Sequence, residues 1–332
     1  MNITCSRLRY SQLFILCILV VVLYIAPQVL ELGAAKPDSD QKNSSSLVAL
    51  FTSIRLTIGD RVFLQTIVGK NGWFFYRMDL NNRQNGRNIS TKDLKITQQR
   101  IQGIYNSLQK RNITMLLVIA PDKSTIYSYQ LPDQIQSPKA YTRMDALRTY
   151  LVQHGPPVLV DLQQALLEAK KTQDVYYKTD THWNANGAFV GYTQIMLALS
   201  KTYPQLTPDP LSAFKRSDTP PYAHDLLRIM GAPGPLEVSF QYSWKEKGSP
   251  HAKDSPSLLM YMDSFGAGLL PFMTHHFREV NYVMSNPRYA PLQSMQEIDR
   301  LKPNVVIIEV VERYVNGKVV DAFLSHFFTP SK

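Results

Sequence analysis

Between Thr114 and Ala120 the chain reads Thr-Met-Leu-Leu-Val-Ile-Ala, a near-continuous apolar run that Pro121 ends. A strand apolar at both alternating positions has both faces buried, which is the situation of a parallel sheet covered by helices on each side. The flanking pattern agrees. Thr91–Gln109 and Tyr141–His154 read as amphipathic helices, and Pro157–Asp161 as the next strand. Helices follow over Leu162–Lys171 and Ala185–Ser200. Ser257–Met262, Val280–Met284 and Val305–Val310 complete the strands, with helices around Gly268–His276 and Gln293–Leu301 between them. This alternation predicts an α/β fold, a three-layer sandwich around a central parallel sheet, with ligands bound beyond the carboxyl ends of the strands. Ser264 lies past one such end, and Pro121 to Lys123 past another.

The rest of the chain divides around that core. Arg7 and Arg9 precede Leu13–Ala26, a charge-free apolar run extendable to Leu30 across Pro27 and Gln28. The strict run has the length of a signal-peptide core, and the extended one approaches the ~20 residues of a membrane span. Gly33-Ala34-Ala35 offers a cleavage site, so both a signal-anchor and a cleaved signal stay open, and both export the domain. Residues 1–12 are then a cytoplasmic basic N-terminus, 13–30 the anchor or signal, 31–46 a polar linker and 47–332 the globular domain. Residues 203–249, rich in Pro and Gly, interrupt the alternation and read as an insertion that shapes a substrate groove.

Charge and cysteine usage narrow the partners. The formal charge is +10, and residues 1–40 add nothing to it, since Arg7, Arg9 and Lys36 balance Glu31, Asp38 and Asp40. A basic domain suits an acidic polysaccharide, anionic headgroups or nucleic acid, or simply solubility, and export argues against nucleic acid. Cys5 and Cys17 both lie in the leader, so the domain holds neither a disulfide nor a thiolate metal site.

Two short stretches carry chemistry. In Lys178-Thr-Asp-Thr-His182-Trp, an extended backbone would put Asp180 and His182 on one face, carboxylate beside imidazole. In Leu259-Met-Tyr-Met-Asp263-Ser264-Phe, a strand runs into Gly266-Ala-Gly268 and a helix start, the strand-to-helix turn at which an exposed nucleophile sits. A serine hydroxyl needs a base to take its proton, and the base needs a group that fixes its tautomer. Ser264, His182 and Asp180 fill those roles, and backbone amides at Ser264 and Gly266 are the expected oxyanion donors.

With Gly69-Lys-Asn-Gly-Trp-Phe-Phe-Tyr76, Val118-Ile-Ala-Pro-Asp-Lys123 and Lys302-Pro-Asn304 to Glu312-Arg313, these stretches make the chain resemble the alginate O-acetyltransferase family, AlgJ/AlgX-like and SGNH-hydrolase-like, over roughly residues 60–315. The family has Gly before its Asp-Ser, where this chain has Met262. The resemblance implies acetyl transfer to an exported acidic polysaccharide, with no cofactor and no metal. It implies a multi-spanning membrane O-acyltransferase as acetyl donor, and a domain in the bacterial periplasm, anchored to the inner membrane or free after cleavage. Lys123 and Arg313 fall on its motifs as contacts to substrate or oxyanion, and Asp225-Leu226 matches its Asp-Leu.

Other readings of the same residues stay open here. Asp180 and His182 can be metal ligands with His251 or His275-His276. Asp263 can hold the turn, Trp73 and Trp183 can be core, Lys123 can be a solvated loop residue, and Arg313 can pair with Glu309 or Glu312. The same three residues with water as acceptor make an acetylesterase, and the fold without chemistry makes a subunit of a secretion complex.

Overall fold

The computed structural model describes residues 44–84, 89–135, 141–221, 224–231, 237–245, 254–284 and 294–315. It opens on α1 (Ser44–Thr57) and a small antiparallel ribbon of β1 (Thr66–Val68) and β2 (Phe74–Tyr76). The ribbon turns at Asn71-Gly72, both at positive φ (53° and 78°), a conformation that Asn and Gly adopt most readily. Next come α2 (Arg77–Gln84), α3 (Thr91–Gln109), β3 (Thr114–Ala120), α4 (Lys123–Ile126), α5 (Arg143–His154), β4 (Leu159–Asp161), α6 (Gln163–Ala169) and α7 (Ala185–Leu199). The stretch read as an insertion holds β5 (Phe214–Asp218), α8 (Asp225–Met230) and β6 (Phe240–Trp244), with β5 and β6 paired antiparallel. The chain then returns through β7 (Ser257–Met262), α9 (Leu270–Met273), β8 (Glu279–Met284), α10 (Ser294–Leu301) and β9 (Val305–Val311).

The long helix shows how sequence sets element. Ser90 caps α3 by accepting the Asp93 amide at 3.1 Å. The helix buries Leu94, Thr97, Ile101, Ile104 and Leu108, the three-and-four spacing of one face.

Five strands form the central sheet in the order β4-β3-β9-β7-β8, every neighbour parallel. Alternate residues of its inner strands feed two separate cores. Leu116, Val118, Leu258, Met260, Val305 and Ile307 pack with α6 and α7 on one side. Met115, Leu117, Leu259, Tyr261, Val306 and Ile308 pack with α3, α5 and α10 on the other. This is the three-layer sandwich expected from the doubly buried run at Thr114–Ala120. Strand β9, between β3 and β7, is buried at every position, and Glu309 is its single ionisable residue.

One expectation changes, and one strand takes the edge. The helix expected over Gly268–His276 is only the four-residue α9, with Pro271 in its first turn and a 3₁₀ turn on either side. Strand β8 lies at the sheet edge, and Tyr282 and Met284 are exposed there. No helix among the described residues is long and apolar enough to cross a membrane. The run Leu13–Ala26, the linker up to residue 43 and His251 lie outside those residues.

Candidate active site

The carboxyl ends of β7, β3 and β9 stand side by side, and each delivers a polar residue to one place. At the end of β7 the Asp263 carboxylate turns inward, accepting the Phe265 amide and the Val311 amide at 2.8 Å each. That fixes the turn and leaves Ser264 exposed on its outer side. Below the turn, buried Glu309 accepts the Asp263 amide at 3.2 Å and the Gly266 amide as well. Burial, and then the neighbouring Asp263 carboxylate, push Glu309 well above the usual carboxyl range. Burial raises Asp263 as well, but the Val311 and Phe265 amides and the Arg313 charge oppose it, so Glu309 is the member of the pair that favours its proton.

Asp180 and His182 meet in a different way from the extended segment expected. A bridge between Tyr176 and Trp183 closes a loop of bends over 178–182. Within it Asp180 folds back on its neighbour, and its Oδ1 accepts the His182 amide at 2.9 Å and lies 2.6 Å from His182 Nδ1. The other ring nitrogen, Nε2, is 2.8 Å from Ser264 Oγ. Trp183 ties the two turns together, its Nε1–H donating to the Phe265 carbonyl at 3.1 Å. Both Trp183 and Trp73 are buried core residues. Burial works to raise Asp180, but bonds from His182 and His224 outweigh it and hold the carboxyl far below its usual range.

Three of the residues singled out in the sequence sit elsewhere than expected. Lys123 is fully buried, and its ammonium donates to the carbonyls of Tyr177, Lys178 and Asp180 at 3.1, 3.0 and 2.6 Å. All three donors are committed, so Lys123 pins the loop instead of reaching a substrate. Arg313 is buried against Asp79 at 3.3 Å and Asp122 at 3.5 Å, not paired with Glu309 or Glu312 and not open to an anion. The Gly266 amide, expected as an oxyanion donor, is engaged with Glu309 on the protein side. Among the described residues no protein acceptor takes the Ser264 amide. Met262, in the position where the resembling family has Gly, is buried under Gly266, and a Cβ on Gly266 would stand 2.5 Å from its Cβ. The space the turn needs is therefore supplied by Gly266.

Sequence reasoning missed the outer ring of partners. Asp225 accepts the Thr181 amide at 2.8 Å and the Thr181 hydroxyl at 2.6 Å. Glu237 accepts the Lys178 and Thr179 amides and the Thr179 hydroxyl, each at 3.0 Å. His224 Nδ1 lies 3.0 Å from Asp180 Oδ2. Only the Asp-Leu pair at 225–226 had any signal in the sequence, because these contacts span 44 to 59 residues.

Asp180, His182 and Asp225 present ligand-type atoms within 4.8 Å of one another. In the cluster Asp180 accepts the His182 amide and Asp225 the Thr181 amide. His276, offered above as a ligand, instead meets Tyr192 at 2.6 Å and Asp209 at 3.1 Å.

Comparisons with known proteins bear on the family and the fold. The model of the SGNH hydrolase-like domain, acetyltransferase AlgX, matches residues 66–259, more than half of the chain. A probable alginate O-acetylase AlgJ of Pseudomonas syringae is 26% identical over 176 residues, covering 52% of this chain and 42% of that protein. The chain thus spans less than half the length of this relative. The O-acetyltransferase domain of Pseudomonas putida AlgJ superposes with a TM-score of 0.57 at 21% identity, over 75% of this chain and 91% of that one. Pseudomonas aeruginosa AlgX superposes with a TM-score of 0.55 at 13% identity, over 77% of this chain and 66% of that one. With more than half of its length matched by one family model and its fold shared with both solved neighbours, the chain belongs to the family of SGNH hydrolase-like AlgX acetyltransferase domains.

Proposed function

We propose that this chain is an O-acetyltransferase that places acetyl groups on hydroxyls of an exported acidic, alginate-like polysaccharide, with Ser264 as nucleophile, His182 as base and acid, and Asp180 as the carboxylate that orients it. The observation that supports this most is the line from Ser264 Oγ to His182 Nε2 at 2.8 Å and from His182 Nδ1 to Asp180 Oδ1 at 2.6 Å. The Asp180 contact fixes the tautomer, leaving the Nε2 lone pair facing the serine hydroxyl.

In the first step His182 Nε2 takes the Ser264 proton while Oγ bonds to the carbonyl carbon of an acetyl ester or thioester. The carbon–heteroatom bond of the donor breaks, and His182 returns the proton to the leaving group. In the second step a sugar hydroxyl gives its proton to His182 and attacks the acetyl carbon. The Ser264 ester bond breaks and the proton returns to Oγ. The oxyanion in each step would be met by the Ser264 amide. No step requires a metal or nucleotide.

The acceptor class follows from the names of the relatives, which are alginate O-acetylases, and from the net charge of +10. The apolar run Leu13–Ala26 supports a domain held at, or released from, the outer face of the inner membrane, in the periplasm. The acetyl donor would then be a multi-spanning membrane protein, since soluble thioesters stay in the cytoplasm. The test is to incubate the full-length chain with para-nitrophenyl acetate and oligouronate. Acetylated sugar that depends on Ser264 supports the transferase. Free acetate alone makes the chain an esterase with the same three residues, and no Ser264-dependent turnover leaves a non-catalytic subunit.

A further inference from the structure

His224 opens α8 and is buried, yet both of its ring nitrogens face acceptors. Nδ1 lies 3.0 Å from Asp180 Oδ2, and Nε2 lies 3.3 Å from the backbone carbonyl of Glu237. A carboxylate oxygen and a carbonyl oxygen can only accept, and a neutral imidazole has only one N–H to give. Both contacts are satisfied together by the imidazolium alone. Asp180 is then a carboxylate between two imidazoles, with Oδ1 toward His182 and Oδ2 toward His224.

We infer that His224 is a positioning residue for this site: as a cation it holds the outer oxygen of Asp180 and offsets the charge that Asp180 presents to His182. The inference rests on the acyl-transfer reading above. A lone carboxylate beside a histidine favours the protonated ring, which is useless as a base. His224 sets a compensating charge on the far oxygen of the carboxylate whose near oxygen faces His182 Nδ1. The groups facing His224 fit this role. The Tyr177 ring lies across it at 4.7 Å between centroids, Asp225 follows it in the chain, and Glu237 supplies the carbonyl. Lys123 stands behind on the Asp180 carbonyl, and His182 lies beyond the carboxylate. Burial opposes the charged ring, but the Asp180 bond and charge, with the charge of Glu237, leave His224 raised above the ordinary histidine value.

Two limbs follow in the pH profile of acyl transfer. The acid limb reports the base, and the alkaline limb reports His224, because its loss of a proton sets a lone pair against an acceptor and loosens Asp180. The test is the pH dependence of para-nitrophenyl acetate cleavage by the full-length chain, wild type beside His224→Gln and Ser264→Ala. Glutamine keeps an N–H for Asp180 and cannot carry charge. The expected result for His224→Gln is loss of the alkaline limb and a peak rate within about tenfold of wild type. A profile superimposable on wild type overturns the inference. If Ser264→Ala is as active as wild type, the acyl-transfer reading fails instead. Should His224→Gln not fold, nitrogen-15 histidine spectra of the wild-type chain decide. One of the seven histidines must stay doubly protonated above neutral pH. Spectra with every histidine neutral there overturn the inference.

Discussion

His182 Nε2 stands 2.8 Å from the Oγ of Ser264, a residue 82 positions further along the chain. The next residue of each turn is bonded to its counterpart too, Trp183 Nε1–H to the Phe265 carbonyl, so the turns are stitched in register. The Phe265 ring also lies 4.8 Å from the His182 ring between centroids. Imidazole and hydroxyl are thus held by the protein before any substrate arrives, which is the condition for efficient proton transfer.

Lys123 is the staple of the base loop. Replacing it with Met removes three donors at once and takes the ammonium from the Tyr177 and Asp180 carbonyls, while the Lys178 carbonyl keeps the Phe74 amide at 2.8 Å, which should cost about 2–4 kcal/mol. Burial draws the Lys123 ammonium down to about 8, so the folded chain binds this proton less tightly than the unfolded chain, whose lysine keeps the ordinary 10.5. That penalty is full below about 8 and fades as pH rises toward 10.5, so wild type gains stability over this window and Lys123→Met does not. Denaturant unfolding of both chains at neutral and alkaline pH measures the widening gap.

Glu309 carries its proton where a carboxylate would have no counterion. Glu309→Gln keeps an acceptor for the Asp263 and Gly266 amides, so stability near neutral pH should stay within about 1 kcal/mol of wild type. The folded chain holds the Glu309 proton more tightly than the unfolded chain, so this residue's contribution to wild-type stability declines as pH climbs above the ordinary 4.5. The glutamine variant escapes that decline. Its melting temperature relative to wild type should therefore rise with pH, and a constant difference would contradict the protonated assignment.

Asp225 holds Thr181 and also stands 3.7 Å from His182 Nδ1. Asp225→Ala strips the acceptor from a backbone N–H and a hydroxyl, expected to lower stability by about 1–3 kcal/mol. Acylation by an activated ester should fall about tenfold or more, since the loop that carries Asp180 and His182 loses an anchor. A stopped-flow acylation rate equal to wild type would contradict this.

Gly266 has no room for a side chain. An added Cβ would sit 2.5 Å from Met262 Cβ and 2.9 Å from Glu309 Oε2, both buried. Gly266→Ala should cost about 1–3 kcal/mol and displace Ser264, lowering the acylation rate more than the melting temperature alone suggests.

The sheet was legible because its inner strands are near-continuous apolar runs. Thr114–Ala120 and Ser257–Met262 have the bounds that the sequence predicts, and so does helix Thr91–Gln109. Ser264, His182 and Asp180 were legible as residue types at a strand end and in a short polar motif. The route by which Asp180 reaches His182 was not, because it depends on an Asx-type turn whose bends carry no periodic signal. The family motifs offered Lys123 and Arg313 as substrate or oxyanion contacts, with a solvated loop lysine and an ion pair to Glu309 or Glu312 as the alternatives. Their burial is set by Asp79 and Asp122 and by three loop carbonyls, partners that no local pattern shows. His224 and Glu237 belong to the same class of long-range contact, and they lie in the stretch whose Pro and Gly content conceals any regular element.

The most direct test is the mass of the Ser264 peptide after brief exposure of the full-length chain to para-nitrophenyl acetate. One added acetyl group on that peptide, absent in Ser264→Ala, strongly reduced in His182→Ala, and discharged on adding oligouronate, is the result expected of a two-step acyl transfer. Unmodified Ser264 while the ester is consumed would contradict it, as would an acetyl group carried on another residue.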